Sequence, residues 1–185
     1  MGHLRIMSEG CLGVLQSYEL LYTSRPQPHW LAFVVAYGEF LLAAQAEDGS
    51  IAGEWGWSES RRPTVLGNFT NVSDHPIPFL LALANLTKDG RYHDAAVKAG
   101  QFSAELTKGS FLYRGGACDN PDVLDKEAGA LALRAFVALH EATGDEQWLA
   151  SALQAATFVE TWTYAWCGTI ACRPCVRMRA RVKQP

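Results

Sequence analysis

Seven positions of the chain recur at one spacing: Leu83, Thr87, Asp89, Tyr92, Ala96, Ala99 and Phe102 are answered by Leu139, Thr143, Asp145, Trp148, Ala152, Ala155 and Phe158, each 56 residues later. The apolar members fall at helical spacing, and the Thr and Asp stand where one helix stops and the next begins. The repeating unit is therefore a helical hairpin with a short turn ahead of Tyr or Trp. Such a pair cannot bury both of its faces alone, so it must stack on neighbours into a solenoid, a bundle or a closed toroid. Alanines at 128, 130, 132, 135 and 138 permit close helix approach and favour a tight double layer.

Residues 31–46 (LAFVVAYGEFLLAAQA) carry apolar side chains on more than one face and stop at Glu47-Asp48-Gly49, which predicts a buried helix. Gly38-Glu39-Phe40 echoes Gly100-Gln101-Phe102 and assigns that helix to a preceding hairpin. A second helix is predicted after Asp74-His75-Pro76, with Asp74 as its cap and the prolines in its first turn, running to Asp89-Gly90. A third starts near Arg91 and stops at Gly109. Strand signals are weak, with only Gly109 to Tyr113 read as a brief extended piece, so the expected class is all-α.

The 185 residues are 49% hydrophobic and 19% charged, which supplies a packed core that needs no metal or disulfide. Sixteen Lys and Arg against 19 Asp and Glu give a net charge of -3, which speaks against a nucleic-acid groove. The longest apolar run, Trp30 to Tyr37, is too short to cross a membrane. Glu9 and Glu19 interrupt the order that a secretory leader requires, so a cytoplasmic protein is expected. Cys167, Cys172 and Cys175 match part of an iron–sulfur run but lack a fourth thiolate, and no cofactor or metal is expected. Residues 167–185 carry five Arg or Lys and no acid, a shift that sets them apart as an atypical tail behind a single domain at 1–166.

From about Phe33 to Trp166 the chain resembles the six-hairpin glycosidase superfamily. The resemblance is carried by Phe40-Leu41-Leu42-Ala43-Ala44-Gln45 followed by Asp48-Gly49-Ser50, by the stretch from Asp119 to Gly129, and by Thr143-Gly144-Asp145 before Trp148. It implies an (α/α)6 toroid of inner and outer helices and a carbohydrate-active hydrolase. Six hairpins at this repeat need about 336 residues, so the chain holds about half a toroid. Either two copies associate to close or extend the layer, which makes a twofold homodimer the expected assembly, or the polypeptide is a fragment of a longer protein.

A glycosidase needs two carboxyl groups flanking the scissile bond. The acids of the loop before the last hairpin, Asp119, Asp125 and Glu127, are the candidate catalytic residues together with Asp74, and Arg114 stands beside them. Capping of the following helix is the competing role for Asp125. The stretch from Glu54 to Arg62 holds Trp55 and Trp57 for stacking on a sugar or for anchoring a loop. It also holds Glu54 and Glu59 as further carboxylates, and Arg61 and Arg62 for an acidic sugar or for pairing with those acids. His75 is read as a proton carrier or as a surface neighbour of a helix cap. Loops entering inner helices share one rim, so these three segments are expected to converge on one cleft. The alternatives are a non-catalytic oligomeric sugar-binding protein, or an ester or amide hydrolase on the same scaffold.

Overall fold

The computed structural model describes residues 2–60, 62–109, 113–116 and 120–162. Among them the helices follow as three hairpins: α1 (Leu4–Leu21) with α2 (Pro28–Ala44), α3 (Ile77–Thr87) with α4 (Gly90–Thr107), and α5 (Lys126–Thr143) with α6 (Gln147–Thr161). Helix α3 packs on both α1 and α5, and α2 packs on α4. The first helices of the hairpins thus form one layer and the second helices flank it. Short turns close each hairpin at one end, and the long connections at 45–76 and 108–125 lie at the other, where α3 and α5 begin.

The repeat in the sequence is a repeat of hydrogen bonds. Thr87 Oγ1 donates to the Leu83 carbonyl (2.7 Å) and accepts from the Asp89 N–H (3.3 Å), while Asp89 Oδ1 accepts from the Arg91 N–H (3.0 Å). Fifty-six residues on, Thr143 Oγ1 donates to Leu139 (2.8 Å) and accepts from Asp145 (3.2 Å), and Asp145 Oδ1 accepts from Gln147 (2.9 Å). The side chains thereby take up backbone groups that the helix ends leave open. Both turns reverse through a left-handed residue, Lys88 (φ 60°) in the first and Gly144 (φ 71°) in the second.

The hairpins also mesh at equivalent points. A Cβ on Gly38 of α2 would collide with Leu83 Cδ2 and lie 2.9 Å from Tyr92 Cε1. A Cβ on Gly100 of α4 would collide with Leu139 Cδ1 and lie 3.2 Å from Trp148 Cη2. Each glycine is a notch that admits one Leu and one aromatic ring from the next hairpin, which explains the echo of Gly38-Glu39-Phe40 in Gly100-Gln101-Phe102.

Gln45, Asp48, Gly49 and Ser50 build the bend after α2. Asp48 Oδ1 accepts from the Ser50 N–H (2.9 Å) and hydroxyl (2.7 Å), and Gln45 Nε2 donates to the Ala95 carbonyl (2.9 Å) of α4. Gly49 (φ 93°) lies against Lys98 O, where a Cβ would collide. These residues dock the bend onto the second hairpin.

The described residues are mostly helical, as expected, but three expectations are corrected and one unassigned element appears. Strands do form: β1 (Gly2–His3), β2 (Glu54–Trp57) and β3 (Pro63–Gly67) make an antiparallel sheet in the order β1-β2-β3, with Trp55 opposite Val65 and Trp57 opposite Pro63. Helix α2 is buried along one face only, through Val34, Tyr37, Gly38 and Leu41. Asp74 does not cap α3, whose N-cap position is held by Pro76 without a side-chain bond. Residues 4–21, to which the sequence assigns no element, form α1, whose buried side is Leu4, Ser8, Cys11, Leu15 and Tyr18. Ser8 interrupts the apolar stripe and is satisfied by the Tyr37 hydroxyl (2.9 Å). No described helix is long and apolar enough to cross a membrane, and the tail at 167–185 lies outside the described residues.

Candidate functional site

Strand β2 lays Trp55 and Trp57 over the start of α1 and the outer side of α2, enclosing a pocket of about 400 Å³. Phe33, Tyr37 and Phe40, spaced by four and three residues along α2, form its floor, and Met7 closes one end. The rings brace one another: Phe40 meets Trp55 edge to face at 5.0 Å and stacks on Tyr37 at 5.8 Å between centroids. Trp55 is half-buried and donates its indole N–H to the Ala52 carbonyl (2.7 Å), so it is a fixed wall. Trp57 is 71% exposed and is the ring a ligand would meet first. Among the described residues, no charged side chain lines this pocket. Beyond Trp57, the hairpin turn carries Ser58 and Ser60, bonded to each other at 2.9 Å, and the exposed Arg62. Glu54 is half-buried on β2 opposite Gly67, outside the pocket wall, and Glu59 is exposed.

A second, much smaller cavity of about 30 Å³ lies where the long connections meet. Asn71, Asp74, Tyr113 and Arg114 line it together with Ser103 and Thr107 of α4. Asp74 is buried, and burial pushes its carboxyl up to about 7 because the charged form loses its water. His75 Nε2 lies 3.8 Å from Asp74 Oδ1, and His75 itself is buried, so its expected surface role is corrected. The segment is held by Ser73, whose hydroxyl accepts from the Ile51 N–H (2.9 Å) and donates to the Thr70 carbonyl (2.6 Å). Burial likewise raises the Tyr113 hydroxyl above its ordinary value. Asn71 Nδ2 donates to the Arg114 carbonyl (2.9 Å) and so ties the two connections together. The cavity has room for a water molecule or two but not for a sugar ring.

Asp125 and Glu127, at the start of α5, have structural partners. Asp125 is buried at the N-cap, where Oδ1 accepts from the Ala128 N–H (2.9 Å) and Oδ2 from the Gly116 N–H (3.2 Å). Glu127 is exposed and pairs with Arg5 of α1 at 2.9 Å. A second link between the same helices joins Arg134 to Glu9 at 3.5 Å. Asp119 and Arg61 lie outside the described residues.

The expected single cleft is therefore divided. Trp55 and Trp57 face the aromatic pocket, Asp74 and Arg114 line the small cavity, and neither Asp125 nor Glu127 lines either one. Phe33, Tyr37, Phe40 and Met7 were not singled out from the sequence. Phe33 and Phe40 stand on the second apolar face of α2, which reads as core until the sheet is placed over it, while Tyr37 is core and Met7 belongs to α1. Among the described residues, no group of three His, Cys, Asp or Glu side chains is arranged to hold a metal ion. Comparison with protein-family models, with curated proteins and with solved structures finds no match.

Proposed function

We propose that this chain is a carbohydrate-binding helical-hairpin protein whose described residues bind the sugar without cleaving it. The aromatic pocket carries this reading. Its volume lies in the range of small-ligand sites, its aromatic lining suits the C–H side of a pyranose, and none of the candidate acids among the described residues stands in its wall. The test is calorimetric titration with a panel of neutral and acidic oligosaccharides. Trp57→Ala is expected to weaken binding about tenfold or more through the lost ring contact. A panel with no binder would overturn the proposal, as would binding that is indifferent to Trp57.

A second reading, hydrolysis by paired carboxylates on the six-hairpin pattern, is favoured by one observation. Burial raises the Asp74 carboxyl to about 7, the direction a general acid requires, and this reading further requires the small cavity beside it to open to admit a sugar. Its test is turnover of aryl glycosides by the wild-type chain and by Asp74→Asn. Loss of turnover in a variant that still binds sugar would place catalysis at the buried acid.

A further inference from the structure

The hairpin register extends beyond the 56-residue repeat to the first hairpin. Leu21, Trp30, Val34, Tyr37, Gly38 and Phe40 stand 62 residues before Leu83, Tyr92, Ala96, Ala99, Gly100 and Phe102. Helix α6 continues the series with Ala156 at the glycine position. Burial at the inward positions agrees with this alignment, since Val34, Ala96 and Ala152 are all buried, as are Tyr37, Ala99 and Ala155.

Burial differs at the two ends of the stack. In the middle hairpin the inserting pair, Leu83 and Tyr92, and the receiving Gly100 are all buried. In the first hairpin the inserting pair, Leu21 and Trp30, is only half-buried, and Phe33 is 50% exposed where its counterpart Ala95 is 5% exposed. In the last hairpin the receiving positions open instead. Ala156 and Val159 are half-buried where Gly100 and Ser103 are buried, and Leu153 is 69% exposed where Val97 packs against the core. One end of the described chain thus presents a Leu and an aromatic ring with no notch to fill, and the other presents a small-residue notch that no described residue fills.

We propose that these two ends join between copies of the chain: Leu21 and Trp30 of one copy pack over Ala156 of another, reproducing the joint that Leu83 and Tyr92 make at Gly38. A second copy is the occupant because the chain carries both halves of the joint, in the register that already links its own hairpins. The contact is head to tail, and as proposed it closes after two copies, with six hairpins and both joints made. The sugar-binding proposal plays no part in this argument.

The test is sedimentation velocity of the full chain over a concentration series. The wild type is expected to dimerise. Ala156→Arg puts an unpaired charge into the notch and Trp30→Glu puts one on the inserting face, so each is expected to weaken association at least about a hundredfold. Both sites are partly exposed in the single chain, so the circular dichroism spectrum and melting temperature should change little. Ala156→Leu fills the notch without charge and should give the same loss. The decisive sample mixes the Ala156→Arg variant with the Trp30→Glu variant. The first retains an intact inserting pair and the second an intact notch, so a heterodimer with one joint should return. A wild type that stays monomeric overturns the proposal, including the case in which residues 163–185 of the same chain cover the notch. A dimer that survives both variants, or a mixture that stays monomeric, overturns it as well.

Discussion

Alanine in place of Gly100 tests the meshing of the hairpins more sharply than any deletion. In an open helix the change would stabilise, because glycine costs about 0.5–1 kcal/mol relative to alanine. At position 100 the new methyl meets Leu139 Cδ1 and lies 3.2 Å from Trp148 Cη2. Leu139 and Trp148 are fully buried and cannot swing aside into solvent. Overpacking of a core contact costs about 1–3 kcal/mol, so after the helix gain the expected net loss is about 1 kcal/mol. Gly13→Ala in α1 is the matched control, since nothing lies within 4 Å of a Cβ built there. It should gain about 0.5–1 kcal/mol, giving the same substitution two opposite signs in one protein. Urea denaturation followed by tryptophan fluorescence reads both, as shifts in midpoint at constant slope. The double variant Gly100→Ala with Leu139→Ala adds a coupling test. Truncating Leu139 should cost about 1 kcal/mol less in the Gly100→Ala background, because the added methyl takes part of the vacated space. Gly100→Ala as stable as Gly13→Ala, with no coupling to Leu139, would refute the notch.

Three further outcomes follow from side chains with one clear physical role. Asp74 has a folded pKa raised above its unfolded value, so its protonated form stabilises the fold at low pH, and that contribution is lost as pH rises from about 4 through about 7. Asp74→Asn should therefore be more stable than the wild type at pH 8, by on the order of a few kcal/mol. Thermal melts across this range should show the two converging near pH 4. Lys88→Gly relieves a left-handed backbone at the position where the repeat already has Gly144. It should gain about 0.5–1 kcal/mol after the entropy cost of glycine, or about 2–3 °C in Tm by calorimetry. Asp125→Ala removes the cap of α5 and leaves the Gly116 N–H without its acceptor. A loss of about 2–3 kcal/mol in chemical denaturation is expected, whatever the chain does to sugars.

The hairpins were legible in the sequence because their turns are made by local chemistry. Thr87 and Thr143 bond backwards to Leu83 and Leu139 within one helical turn, and Asp89 and Asp145 bond forwards by two residues. The sheet was not legible because its pairing is long-range and its local signals are faint. Strand β1 is two residues long and finds β2 some 50 residues away, and the turn at 58–62 has none of the dipeptides that mark a tight hairpin. Once β2 is absent from the reading, Trp55 and Trp57 have no direction, and the outer face of α2 passes for buried core. Helix α1 was lost for a related reason. Ser8 occupies a core position, and its hydroxyl is satisfied there by Tyr37, 29 residues away.

The acids show where a sequence pattern reaches its limit. Asp89, Asp125 and Asp145 all stand just ahead of a helix, and each accepts a backbone N–H there, from Arg91, Ala128 and Gln147 respectively. A carboxylate in that position is favoured by the open N–H groups and the helix dipole before any substrate is considered. A loop rich in Asp before a helix therefore looks the same whether it caps or catalyses. What separates the roles is the second bond each oxygen makes and the water it can reach. Asp125 commits both oxygens to backbone donors and stays in place as an acceptor. Asp74, two residues ahead of its helix's N-cap and buried away from water, keeps its proton into the neutral range. The difference arises from the connections that fold over Asp74, with Asn71 bonded to the Arg114 carbonyl and Tyr113 lining the cavity beside it. No spacing within the Asp74 segment encodes that cover, because it is supplied by residues about 40 positions further along the chain.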